Sequence, residues 1–119
     1  MSSMKQTEQE FKEADWKLFR KKVGGWQEAY MKQLNEEYLQ ILKQDKLPSE
    51  KFWELEKRIY HDKQHPGVIL DMRRSTMISN ILNLLYEQII HIDDLSEFSD
   101  VMKDTIHSYL TFVSRNSNG

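Results

Sequence analysis

The stretch "LDMRRSTM" at residues 70–77 places charged side chains inside a segment that is otherwise rich in large aliphatic residues. Helical spacing puts Arg74 on the same face as Leu70, Met77 and Ile81, which predicts that Arg74 lies in the core. An unpaired buried charge costs several kcal/mol, so Arg74 must either extend to water or meet a carboxylate.

Asp71 lies three residues before Arg74 and can pair with it locally, and other acids can reach it from other helices. The predicted buried ion-pair network consists of Arg74 with Asp71, Asp15, Glu28 and Glu56. The alternative is an anion or partner site, for which Arg73 is the better placed arginine because it points away from the predicted core. We favour the structural ion pair, because structural networks also produce such charge clusters.

A second cluster, "WKLFRKK" at residues 16–22, interleaves cations with aromatic rings. Its basic residues are Lys17, Arg20, Lys21 and Lys22, and its rings are Trp16 and Phe19. Such a pattern can neutralise phosphates while stacking bases, as single-strand binders do. The simpler interpretation is an amphipathic helix whose lysines lie in water near a helix C-terminus. The carboxylates of Asp93, Asp94, Glu97 and Asp100 are candidate partners for this patch, within the fold or on a second subunit.

Aromatic residues are frequent, and most of those at helical spacing belong to a core or an interface. Trp16, Trp53 and Tyr60 lie at the edges of their apolar stripes, which predicts partial exposure. The candidate interaction surface comprises Trp16, Lys17, Arg20, Trp53, Tyr60 and Arg73.

No motif for catalysis, metal binding or cofactor binding emerges. His61 and His65 are four residues apart, but His65 directly precedes Pro66 and should lie beyond the helix end. The pair Gly24 and Gly25 follows a predicted helix and lacks the pattern of a phosphate-binding loop. We therefore predict a protein that is not an enzyme and that has no metal and no cofactor.

The composition also limits the function. The chain has 119 residues, a formal net charge of −2 and no cysteine. A slightly acidic chain has no bulk attraction to nucleic acid or anionic lipid, and a chain without cysteine forms no disulfide and suits a reducing cytoplasm. The N-terminal stretch lacks the apolar region of a signal peptide, and the aliphatic runs are too short to span a membrane. These features predict a soluble cytoplasmic protein that does not insert into membranes.

Few glycines and prolines interrupt runs of helix-forming residues, which predicts an all-α fold. We expect a single-domain bundle of about five helices over residues 1–119, with residues 1–7 and 114–119 as frayed tails. Thr7 and Glu10 form a candidate capping box for a first helix over 8–23, and Gly24-Gly25 then marks a break, a kink or a close backbone approach. The other helices are expected at 26–44, from Pro48 until "KQHPG" at 63–67 ends the helix, at 68–85 as the central helix, and at 101–113. Asp93 and Ser99 are candidate N-caps.

The segments "ADWKLFRKKVGGWQEAYM", "KFWELEKRI", "PGVILDMRRSTM" and "DDLSEFSD" resemble a family of small uncharacterised soluble helical proteins of Firmicute bacteria. The resemblance covers roughly residues 13–106. It implies a bacterial cytoplasmic origin and supplies no catalytic residues, because the family has no assigned activity.

Two functional hypotheses follow. The first is a non-enzymatic helical protein-interaction module that binds another protein or itself through the candidate interaction surface. The second is a nucleic-acid or phosphate-ligand binder that uses the Lys17–Lys22 basic patch.

Overall fold

The computed structural model describes residues 9–117 and, among these, the side chains as far as residue 114. Within this range the chain forms four α-helices and two 3-10 turns and no strand, which confirms the all-α prediction. The helices are α1 (Glu13–Lys43), α2 (Pro48–Asp62), α3 (Met77–Tyr86) and α4 (Asp100–Ser117), and the turns are Arg74–Thr76 and Ile92–Leu95. The predicted number of about five helices is wrong, and α4 continues past the predicted end at 113.

The glycine pair does not divide the first two predicted helices, because α1 runs through it without interruption for 31 residues. A Cβ added at Gly24 or Gly25 would meet nothing within 4 Å among the described residues, so no neighbouring backbone requires glycine there. Each glycine costs a helix only about 1 kcal/mol relative to alanine. Packing on both sides of the pair offsets this cost, since Val23 lies in the core and Leu34 is also buried.

The N-terminus of α1 also differs from the prediction. Thr7 lies outside the described residues, and the helix begins at Glu13. Asp15 provides the cap, because its carboxylate accepts a hydrogen bond of 2.8 Å from the Lys12 backbone N–H. Glu10 instead contacts α4, where its carbonyl accepts a hydrogen bond from the Thr105 hydroxyl.

The core lies between the N-terminal half of α1, α3, α4 and the segment that joins α3 to α4. Its fully buried large side chains are Phe19, Met77, Ile81, Leu84, Ile90, Leu95, Met102 and Ile106. Trp16, predicted at an exposed edge, is only 6% exposed and packs 6.3 Å from the Phe19 ring. The predicted exposure of Trp16 is therefore wrong.

The central helix α3 begins at Met77, nine residues later than predicted, and residues 69–73 are not helical. The helical phase that placed Arg74 in the core therefore does not apply. Arg74 opens a 3-10 turn, its side chain is 60% exposed, and it forms an ion pair with Glu13 of α1 (Nη2 to Oε1, 2.6 Å). The predicted burial of Arg74 is wrong, and its partner is an acid that was not among the candidates.

The second half of α1 and the whole of α2 project from this core as a two-helix arm, defined here as residues 31–62. The molecule is consequently long, with extents of 67 × 37 × 23 Å and a radius of gyration of 18.4 Å. A compact chain of this length would have a radius of gyration of roughly 13 to 14 Å. An elongated arm exposes both of its helices to solvent on several sides.

Candidate interaction surface

Helix α2 packs against α1 with its polar residues. Arg58 lies 2.8 Å from the Glu37 carboxylate of α1 and 3.4 Å from Asp62 one turn along α2. The Tyr38 hydroxyl of α1 donates a hydrogen bond of 2.7 Å to Asp62, and the Arg58 guanidinium lies over the Tyr38 ring at 5.7 Å. This group is partly withdrawn from water, and Glu37 raises the pKa of Arg58 by accepting its hydrogen bond.

A second polar group joins the two helices near the tip of the arm. The Glu54 carboxylate of α2 accepts hydrogen bonds from Lys46 at 3.2 Å and from Gln44 at 3.4 Å. The Lys46 contact is the main cause that lowers the pKa of Glu54. Hydrogen bonds and ion pairs therefore hold α2 at both ends.

Four large apolar side chains of α2 are exposed to solvent. Phe52 is 62% exposed, Trp53 64%, Ile59 42% and Tyr60 59%, whereas the buried residue of this helix is the acid Asp62. A surface helix normally turns its apolar stripe toward the core and its charges toward water. Helix α2 has the opposite orientation, so the described chain leaves its apolar stripe uncovered.

These side chains form one continuous surface, which we call the outer face of α2. A shallow groove of about 390 Å³ on it is lined by Phe52, Leu55, Glu56, Ile59, Tyr60 and Lys63. Trp53 flanks this groove, with its ring edge-on to Phe52 at 5.0 Å. Ile59 and Lys63 also line a second groove of about 400 Å³, whose other walls are Glu28, Met31, Leu34, Asn35, Tyr38, Asp62 and Val68. The apolar surface therefore continues from the arm toward the core.

Two opposite charges lie on the outer face. Glu56 is exposed and has no hydrogen-bond or ion-pair partner within residues 9–114. Lys63 lies seven residues later on the same side, with its ammonium group 5.2 Å from the centre of the Tyr60 ring. Seven residues correspond to about two helical turns, so both charges sit within the apolar stripe.

The candidate interaction residues do not form one surface. Trp53 and Tyr60 lie on the outer face of α2, whereas Lys17 and Arg20 lie on the first turns of α1 beside the core. Arg73 pairs with its near neighbour Asp71, whose carboxylate oxygens both lie 3.0 Å from the Arg73 Nε.

Trp16 lies beneath two cations, with the Arg20 and Arg74 guanidinium carbons 5.9 and 5.7 Å from its ring centre. The buried indole therefore supports these arginines instead of forming a contact surface of its own. Arg74 lowers the pKa of Glu13 by donating hydrogen bonds to it.

The basic patch is partly occupied by contacts within the chain. Lys22 donates a hydrogen bond of 2.7 Å to Glu97, which lowers the pKa of that acid. Glu97 is one of the predicted partner carboxylates of this patch, and the Arg20 guanidinium lies over the Trp16 ring. Lys17 and Lys21 are exposed. These contacts reduce the positive charge that the patch offers to a phosphate backbone.

The proposed buried network around Arg74 is absent among the described residues. Asp15 is buried, with 2% exposure, but it accepts hydrogen bonds from the Ser99 backbone N–H and hydroxyl at 2.8 and 2.6 Å. Ser99 in turn accepts a bond of 3.2 Å from the Met102 N–H, which confirms its predicted role as an N-cap. Glu28 and Glu56 are exposed.

The two histidines have different environments. His61 is exposed, whereas His65 stacks on Tyr30 with a ring distance of 4.7 Å and lies 2.9 Å from the Glu87 carboxylate. Across residues 9–117 there is no group of three or more acids or histidines that could hold a metal ion.

The hydrogen bond between Tyr38 and Asp62 has a measurable consequence. The pKa of Tyr38 is raised to about 12. Partial burial is the largest cause, and the hydrogen bond that the phenol donates to the Asp62 carboxylate is the next. An unfolded tyrosine titrates near 10, so the folded arm favours the protonated phenol. The resulting stabilisation is fully present below pH 10 and is lost as the pH rises through about 12.

We therefore expect Asp62→Asn to lower the pKa of Tyr38 toward 10, because the substitution removes the negative charge that opposes ionisation. Ultraviolet titration of phenolate absorbance measures this shift, and Tyr38→Phe identifies which part of the curve belongs to Tyr38. An unchanged curve in Asp62→Asn would contradict the hydrogen bond between the helices.

Comparison of the chain with models of protein families, with curated proteins and with solved structures produced no match. In the part of the chain that the structure describes, no helix combines the length and apolar character needed to cross a membrane.

Proposed function

We propose that this protein is a non-enzymatic interaction module that binds another protein chain through the outer face of α2. The observation that carries the proposal is the orientation of α2, which turns its charges toward α1 and its apolar stripe toward solvent. Burial of apolar surface yields about 25 cal/mol per Å², so covering this stripe favours association.

The residue types on this face suit protein binding. Phe52, Trp53 and Tyr60 offer large rigid rings, and tryptophan and tyrosine are enriched among the residues that contribute most to binding at interfaces. The grooves beside them accept the side chains of a helix, as helix-binding proteins do. The bonds among Glu37, Tyr38, Arg58 and Asp62 hold the face in place, so association does not require α2 to be reordered.

The same proposal gives the protein a bacterial cytoplasmic setting, on the basis of the family resemblance and the absence of cysteine. Nucleic-acid binding through Lys17–Lys22 has weaker support, because Lys22 and Arg20 already contact Glu97 and Trp16.

Photocrosslinking in bacterial cells tests the proposal. A photoreactive phenylalanine analogue at position 53 is expected to form covalent adducts with a protein chain, because the side chain there lies on the outer face. The matched control carries the same analogue at position 32, where Lys32 is also exposed but belongs to α1. Adducts at position 53 no stronger than those at position 32 would contradict the proposal.

A further inference from the structure

We infer that the occupant of the outer face is a second copy of this chain, bound with its α2 helix antiparallel to the first. This inference rests on the proposed function, since it names the partner that the outer face binds. The two arms, each with two helices, then form a four-helix arrangement around a two-fold axis.

The charges on the outer face of one copy complement those of a second copy. Around a two-fold axis that passes between Ile59 and Tyr60, position 56 of one copy faces position 63 of the other. The Glu56 carboxylate, which has no partner among residues 9–114, thereby meets the Lys63 ammonium group, and the pairing occurs twice because the interface is symmetric. A single acid and a single base, each placed three to four residues from the axis, are the pattern that such a self-pairing requires.

The second groove of one copy also lies where an exposed ring of the other copy falls. In the same register Phe52 lies about 11 Å from the axis, at the rise of 1.5 Å per residue. The corresponding place on the other copy is just beyond the end of α2, where the groove lined by Met31, Leu34 and Val68 opens. The exposed Phe52 ring of each copy therefore has an apolar groove on the other copy to enter.

The outer face also exposes a substantial area of aromatic surface. Phe52, Trp53 and Tyr60, each about three-fifths exposed, together leave on the order of 350 Å² of surface in water. A standard stable interface buries about 800 Å² on each partner. The three rings therefore supply a little under half of that area, and Ile59, Leu55 and the second groove add to it.

Sedimentation equilibrium of the purified chain over a wide concentration range tests the inference. We expect a dimer for the wild type and a dissociation constant at least tenfold higher for Glu56→Lys and for Lys63→Glu, because each change places like charges opposite each other. The double variant Glu56→Lys with Lys63→Glu restores both pairs and is expected to recover most of the wild-type affinity. The matched control, Glu36→Lys, reverses an exposed acid of α1 and should leave the dimer unchanged.

The three substituted positions are exposed, and helical content by circular dichroism verifies that each variant folds. A wild-type chain that stays monomeric at high micromolar concentration overturns the inference, as does a dimer that Glu56→Lys leaves unaffected. If position 53 forms adducts with other proteins and the purified chain is monomeric, the partner is not a second copy. The proposed function would then still hold. The absence of any adduct at position 53 would contradict both the proposed function and the second copy as its partner.

Discussion

Asp15→Ala is expected to lower the free energy of unfolding by about 3 kcal/mol, because it removes an acceptor that serves the N-termini of two helices. The buried carboxylate accepts the Lys12 N–H at the start of α1 and both the N–H and the hydroxyl of Ser99 before α4. Bonds to a charged acceptor are stronger than neutral ones, and both helix dipoles favour a negative charge here. Urea denaturation measures the change.

Two variants separate this role from a general effect of surface charge. Asp15→Asn keeps the shape but loses the charge, so its effect should be intermediate. Glu13→Ala removes an acid two residues away whose partner Arg74 is exposed, and it should lower the stability far less than Asp15→Ala does, because surface ion pairs contribute little. An effect of Asp15→Ala as small as that of Glu13→Ala would contradict the assigned role.

Gly67→Ala is expected to destabilise the protein by about 2 kcal/mol through a steric clash. A Cβ at Gly67 would lie 2.7 Å from Cγ and 2.8 Å from Cε2 of the Tyr30 ring. The ring cannot move aside freely, because His65 stacks on it. Gly67 does not have a positive φ, so the expected loss of stability comes from the contact with the Tyr30 ring and not from backbone strain. Thermal or urea denaturation gives the value.

The matched control is Gly24→Ala, which adds the same methyl group where no atom of the described residues lies within 4 Å. It should raise the free energy of unfolding by about 0.5 to 1 kcal/mol, because alanine is the better helix former. In a Tyr30→Ala background, the cost of Gly67→Ala should largely disappear. A loss that persists without the Tyr30 ring would show that the clash is not the cause.

Several features follow from local sequence alone. The start of α2 at Pro48 and the capping of α4 by Ser99 are both confirmed, since proline suits a first helical turn and serine caps the following N–H groups. The aliphatic positions of α3 also form the predicted core. These features depend on interactions between residues within one or two helical turns of each other. Sequence patterns predict such local interactions well.

Arg74 and the glycine pair show where local reasoning stops. The prediction that Arg74 lies on the buried face assumed a helix that starts at residue 68. Because the helix starts at Met77, Arg74 lies before it and its side chain pairs with Glu13, 61 residues away in the sequence. The low helix propensity of glycine predicts a break in the helix at Gly24-Gly25. The burial of Val23 on one side and Leu34 on the other outweighs this cost of about 1 kcal/mol per glycine.

The sequence by itself determined that the chain is helical and that Trp53 and Tyr60 lie at the partly exposed edge of an apolar stripe on the helix that begins at Pro48. Only the tertiary structure decided that this stripe faces outward. The reason is that Arg58 and Asp62 find charged and hydroxyl partners on α1, in Glu37 and Tyr38. A helical pattern states which residues share a face, and the side chains of the neighbouring helix decide which face is covered.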